Sequence, residues 1–287
     1  MATLRILGLT TAALLSGTAA HAADMPMPEP VPVEVAPAVE SGGWYLRGDL
    51  GFSNQAVDDL DNALYHNGTT TNLAHVQKSF DAAPFGGVGV GYQFNQWFRM
   101  DLTGEYRASA NFHGMDTFSG VFDRGGVATA GTGVDVYTGR KYEMTGLVNA
   151  YFDLGTWHNI TPFVGAGVGV SRNTIADFTD SGQNVAGGTT ATSVAYGRDS
   201  SKVSFAWALM AGAGYQVAPG LTVEAAYRYI NLGKAQSGDL VAYDGTNTVY
   251  NPMKFKDITS NDFKFGLRWA LGGPVAAPLD APLMRKY

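Results

Sequence analysis

The stretch FGGVGVGYQFNQWFRMDLTGEYRA, Phe85 to Ala108, decides how this chain folds. Val88, Val90, Tyr92 and Phe94 share one parity, and Gly87, Gly89, Gly91 and Gln93 share the other. After a tight turn at Asn95-Gln96, Phe98, Met100, Leu102, Gly104 and Tyr106 alternate with Arg99, Asp101, Thr103, Glu105 and Arg107. A period of two is the signature of a strand, whose successive side chains point to opposite faces. The stretch therefore reads as a hairpin with one apolar and one charged face. In a water-soluble sheet the apolar face would look inward. The aromatic ends and the recurrence of the pattern elsewhere predict the inverse, with apolar side chains against lipid and charges inside a closed barrel.

The same design recurs along the chain. Trp44, Leu46, Gly48, Leu50 and Phe52 oppose Tyr45, Arg47, Asp49 and Gly51. Tyr142, Met144, Val148 and Phe152 oppose Lys141, Glu143, Thr145, Asn149 and Tyr151. Val164, Ala166, Val168 and Val170 alternate with Gly165, Gly167 and Gly169, a weak internal repeat of the Gly87 strand. Val203 to Tyr215, Leu221 to Tyr229 (after the Ala218-Pro219-Gly220 turn) and Phe263 to Leu271 complete eight strands. Between them, Ser53–Ala83, Ser109–Gly139, Arg172–Ser200 and Leu232–Ile258 are polar and glycine-rich and read as long loops. Four long connections alternate with three short ones. The fold class expected is all-β: an eight-stranded antiparallel up-and-down transmembrane β-barrel with four long extracellular loops and short periplasmic turns.

The charged face separates this reading from a soluble barrel, whose inner wall would be apolar. The inward candidates are Arg47, Asp49, Arg99, Asp101, Glu105, Arg107, Lys141, Glu143, Glu224, Arg228, Lys264 and Arg268. Facing lipid at mid-depth, one Arg or Lys would cost roughly 2–4 kcal/mol. An eight-stranded barrel is only just wide enough for its own side chains. These twelve are therefore expected to form a charge-paired interior, with the glycine rows leaving room for arginines. Outward, Trp44, Phe94, Tyr106, Tyr142, Trp207, Tyr215, Tyr227 and Trp269 form the expected aromatic girdle, amphipathic rings being at home at the headgroup level.

Composition agrees. Only 15% of the 287 residues are charged, against about 25% in a typical soluble protein. Cysteine is absent, which removes disulfides and thiolate chemistry, and a net charge of −6 argues against nucleic acid as a partner. Residues 1–22 read as an export signal, with Arg5, the apolar Ile6–Leu15 run and Ala20-His21-Ala22 as the cleavage pattern. Residues 23–42 form a proline-rich periplasmic leader, 43–271 the barrel, and 272–287 a periplasmic tail.

The chain resembles the OmpA-type and opacity-protein-type small outer-membrane barrels, particularly the major outer-membrane protein group of alphaproteobacteria. The signal, the Pro/Val/Glu leader, the motif from Pro84 to Tyr92 and the closing Gly266-Leu267-Arg268-Trp269 carry the resemblance. It implies a structural or surface protein of the Gram-negative outer membrane, sometimes described as porin-like. The partners it implies are membrane lipid and lipopolysaccharide, the barrel-insertion machinery, and host or phage ligands at the loops. Members usually end on an aromatic residue of the last strand; this chain continues through a proline-rich extension to Tyr287.

No catalytic, cofactor or metal site is expected. The Gly87–Gly91 run lacks the strand-turn-helix context of a phosphate loop. His66, His75, His113 and His158 fall in expected loops or turns, none on a strand beside a serine; those near Asp58, Asp59 and Asp61 would be solvated. A small channel and a ligand-binding or adhesive surface are the alternatives to a structural role. The second rests on loop aromatics such as Tyr65, Phe112, Phe118, Phe122 and Tyr243.

Overall fold

The computed structural model describes residues 42–272. The expected signal, leader and tail lie outside the described residues, save Gly42 and Gly272. Eleven strands form one antiparallel sheet: β1 (Gly43–Asp61), β2 (Thr70–Phe80), β3 (Ala83–Gln93), β4 (Phe98–Asp123), β5 (Ala128–Asp153), β6 (Ile160–Ala186), β7 (Thr189–Gly197), β8 (Ser200–Ala218), β9 (Leu221–Gln236), β10 (Leu240–Ala242) and β11 (Lys254–Ala270).

Eight of them close a ring. β1 pairs with β3, β3 with β4, β4 with β5, β5 with β6, β6 with β8, β8 with β9, β9 with β11, and β11 returns to β1 from Tyr45↔Ala270 up to Asp61↔Lys254. This is the expected up-and-down barrel. Its short turns match their sequences. Asn95 accepts backbone N–H bonds from Trp97 and Phe98 at 3.0 and 2.8 Å, an Asx turn, and Pro219-Gly220 places glycine at φ 76°, the geometry a type II turn requires.

The four long segments differ from expectation. They are not loops along most of their length. β4, β5 and β6 run for 26, 26 and 27 residues, whereas a membrane crossing takes about 9–11. β2, β7 and β10 lie within these segments and pair onto the upper strand ends, β2 on β4, β7 on β6 and β10 on β7. Sequence reading missed them because the alternation changes sense above the membrane. On β1 the outward row passes from Leu46, Leu50 and Phe52 to Asn54, Ala56 and Asp58, while the inward row passes from Arg47 and Asp49 to Val57. Outside lipid the barrel obeys the rule of a soluble one, polar outside and apolar inside.

On other strands the parity itself slips. The β4–β5 register shifts between Arg107 and Ala110, β5–β6 between Thr138 and Arg140, and β9–β11 between Phe255 and Ile258. Asp177 and Asp257 adopt positive φ of 51° and 49°, and Gly233 one of 72°. These are β-bulges, each adding a residue to one strand and turning the side chains that follow to the opposite face.

Around and above the bulges the inward residues make an apolar plug. Phe80, Phe112, Tyr137, Phe178 and Phe255 are buried together with Ile175, Leu232, Leu240, Met253 and Ile258. Phe255 meets Phe112 edge-on at 4.9 Å, and Phe80 lies 5.1 Å from Phe112. Phe112, an expected loop aromatic, is instead at the plug's centre.

Candidate functional site

The expected interior residues lie on β1, β4, β5, β9 and β11, each directed inward by strand parity. Eleven of the twelve are buried, and Arg268 near the periplasmic mouth is half-buried. They fall into two connected groups. In the lower, Arg47 reaches Asp49 at 2.9 Å, Asp101 at 2.7 Å and Glu224 at 3.4 Å, and Arg268 reaches Glu224 at 2.9 Å. In the upper, Arg228 binds Glu105 through two N–H groups at 2.8 and 2.7 Å, and Arg107 meets Glu143 at 2.7 Å. Lys141 donates to Glu143. Lys264 joins the groups, lying 3.2 Å from Asp49 and 3.3 Å from Glu105.

Two further carboxylates complete the set. Asp262 is fully buried and bridges Arg107 at 2.7 Å and Arg228 at 2.8 Å, and Asp153 meets Arg99 at 3.2 Å. With them, seven acids face seven bases. Both sit on inward parity, at a strand's last residue (Asp153) or beside a serine (Asp262 accepts from Ser260 at 2.6 Å), so alternation alone could have found them. Arg99 is also held between two rings, its guanidinium 4.3 Å from the Tyr151 centroid and 4.8 Å from that of Phe163. Such sandwiching favours a poorly hydrated cation. Glycines make space for these long side chains. A Cβ on Gly89 would lie 2.8 Å from Thr103 Cγ2 and 3.0 Å from Arg47 Cγ, and one on Gly165 would lie 2.6 Å from the Tyr151 ring.

Outside, the eight girdle aromatics fall at two levels. Trp44, Phe94, Tyr215 and Trp269 are exposed near the short turns; Tyr106 and Tyr227 are exposed and Tyr142 and Trp207 half-buried toward the long ends. Neighbours extend both belts: Trp44 packs edge-on against Tyr92 at 5.4 Å, and Tyr227 against Phe263 at 5.7 Å. From Trp44 to Phe52 is about 26 Å along the strand, or roughly 20 Å of height at a tilt near 40°. Leu46, Leu50, Val88, Leu102, Val168, Leu209 and Phe265 are exposed between the belts, a band only lipid can cover.

A family model described as the outer membrane protein β-barrel domain matches residues 10–270. The chain belongs to this family. It resides in the Gram-negative outer membrane, as its resemblance to small outer-membrane barrels implied. An uncharacterized protein of Brucella abortus is 33% identical over 83% of this chain and 82% of its own. A Rickettsia bellii protein named as a candidate adhesin is 28% identical over 79% of this chain and 87% of its own. The crystal structure of OprG from Pseudomonas aeruginosa aligns with TM-score 0.47 at 12% identity, over 80% of this chain and 97% of that one.

The histidines of this outer-membrane barrel are not all in loops. His75 is on β2 and His113 on β4, and the latter stands opposite Ser79 in the ladder, contrary to expectation. No hydrogen bond joins Ser79 to His113 among the described residues; His113 Nε2 lies 3.6 Å from Asp81, and the His113 and Asp81 side chains are each about half exposed. His66, in a 3-10 turn at Ala63–His66, pairs with Asp61 at 2.7 Å. His75 Nδ1 meets Asp116 at 2.7 Å, and Asp116 also accepts from the Tyr65 hydroxyl at 2.5 Å. Two more carboxylates lie in this part of the extracellular storey. Burial, then the repulsion of Asp116, pushes Asp135 up to about 6. Burial, then Asp135 and Asp116, pushes Asp180 up to about 8.

Proposed function

We propose that this barrel is a surface and structural protein of the outer membrane, contributing to envelope integrity and displaying its extracellular storey, rather than a channel. The observation that carries this is double occlusion. The membrane-level lumen is filled by paired charges, and the apolar plug of Phe80, Phe112, Phe178 and Phe255 lies above it. A hydrated ion entering from outside would have to part close-packed aromatic rings and then an ion-pair lattice with no free width. Planar-bilayer recording on purified protein tests this. No steady conductance is expected, and a large, stable open level would overturn it. A deletion strain is expected to become more sensitive to detergent; unchanged sensitivity would remove the envelope role.

A second reading is adhesion, favoured by the naming of the Rickettsia relative and by side chains at the extracellular tips. Val127, Tyr243 and Tyr250 are 63%, 76% and 68% exposed, beyond the girdle and away from the plug. Turns that carry exposed aromatics on rigid strands suit surface contact. Tyr243→Ser with Tyr250→Ser is expected to keep insertion and lower attachment to host cells; equal attachment would count against it.

A further inference from the structure

The extracellular storey contains a partly open cavity of about 240 Å³. Its walls come from the 3-10 turn, the start of β2, and the upper parts of β4, β5 and β6. Tyr65, Phe118, Phe122 and Tyr137 supply aromatic faces, and Leu64 and Leu73 supply aliphatic ones. Asp135 and Asp180 open into the same space.

The charge there is one-sided. The titratable groups around the two carboxylates are Tyr65 from the 3-10 turn, Asp116 from β4 and Tyr137 from β5. His75 is already committed to Asp116. Asp135 receives only a long contact from the Tyr137 hydroxyl at 3.5 Å, and Asp180 is influenced only by burial and by the two other acids. Among the described residues, the buried acids of the lumen are matched by arginine or lysine. The lumen is neutral; this cavity is not.

We propose that the cavity binds an alkylammonium group, a protonated primary amine on a short apolar stem, with Asp180 and Asp135 as its counter-ions. The aromatic walls favour this class. A ring face attracts an organic cation, and Leu64 and Leu73 match an alkyl stem, whereas a hard metal ion needs a shell of oxygens. Among the described residues no set of three His, Cys, Asp or Glu is placed to hold a metal. An anion would meet two carboxylates and no cation. Because Asp180 holds its proton to about pH 8, binding must displace it, so affinity is expected to rise from pH 5 to pH 8.5, where the amine is still charged.

The test is an NMR titration of the protein in lipid nanodiscs, following the amides of Leu73, Phe118 and Tyr137. n-Butylammonium is expected to give saturable shifts that the isosteric 1-butanol does not. Asp180→Asn should weaken binding at least tenfold and flatten its pH dependence. Leu73→Trp, which fills the cavity but keeps both carboxylates, should abolish it; heat-dependent gel mobility checks that each variant is folded. Equal shifts with butanol, or unchanged affinity in both variants, would overturn the proposal. An Nα-acetyl-lysine amide binding more tightly than butylammonium would assign the group to a partner's lysine, and weaker binding would assign it to a free amine.

Discussion

A single buried charge here is held by partners that cannot follow it out. Glu105 accepts two N–H bonds from Arg228 and lies 3.3 Å from Lys264. Truncating one member of a buried pair typically costs about 3–5 kcal/mol, because the remaining charge loses its compensation without regaining water. Glu105→Ala is expected at the lower end of that range, since Arg228 keeps Asp262 and Lys264 keeps Asp49. Denaturant unfolding in micelles should show it, and a wild-type midpoint would refute the charge-paired lumen. Gly89→Val should cost about 1–3 kcal/mol by overpacking, through the collision with Thr103 and Arg47. The lumen was legible in the sequence because each inward residue is simply two positions from the last. The acidic cluster of the extracellular storey was not, since no local pattern announces that Asp116, Asp135 and Asp180, on three different strands, converge. Their convergence has a pH signature. An acid whose folded pKa is raised favours the fold when protonated; its contribution is full below the ordinary carboxylate range and lost as pH rises toward the folded value. Asp180 and Asp135 should therefore make the extracellular storey less stable as pH climbs from about 4 through about 6 to about 8. Asp180→Asn should flatten the fall of thermal stability across that window, and an equal slope in the variant would place the titration elsewhere.

At the level of the strand, the bulges explain both the architecture and the missed assignments. Strict alternation is a sound guide while one environment surrounds a strand. β4, β6, β9 and β11 cross from lipid to water, where the demand on each face reverses, and an extra residue reverses the parity as well. The two reversals do not fall at the same residue, so between them the buried apolar residues change parity, as from Ile175 to Phe178 on β6 and from Ile258 to Phe255 on β11. That is why Leu232–Ile258 reads as a loop although Ile258 and Phe255 are both fully buried on β11. The device depends on backbone conformation. Asp257 sits at φ 49°, a region in which a side chain costs roughly 1–2 kcal/mol and a β-branched one more. Asp257→Val should destabilise the upper storey by about that amount, while Asp257→Gly should match or exceed wild type. Thermal denaturation of the two variants in parallel checks this; equal melting would mean that the bulge is not under conformational selection.

Residues 42–272 form two barrels built on one ring. The membrane storey turns its apolar side chains to lipid and fills its lumen with charge; the extracellular storey turns polar side chains to water and fills its interior with rings. Each follows from the solvent around it, and the shared strands make them continuous. Their stabilities should nevertheless separate, because the membrane storey is supported by lipid and the upper one only by its own core. Phe255 is fully buried and touches Phe80, Phe112 and Phe178. Phe255→Ala removes about 3–5 kcal/mol of packing, and the loss should fall on the upper storey alone. In intact cells, added protease should then cut the extended ends of β4–β7, while the core fragment left in the membrane keeps its heat-dependent gel mobility. If the variant instead loses that mobility shift altogether, the two storeys fold as one unit and the plug is needed for closure of the ring itself.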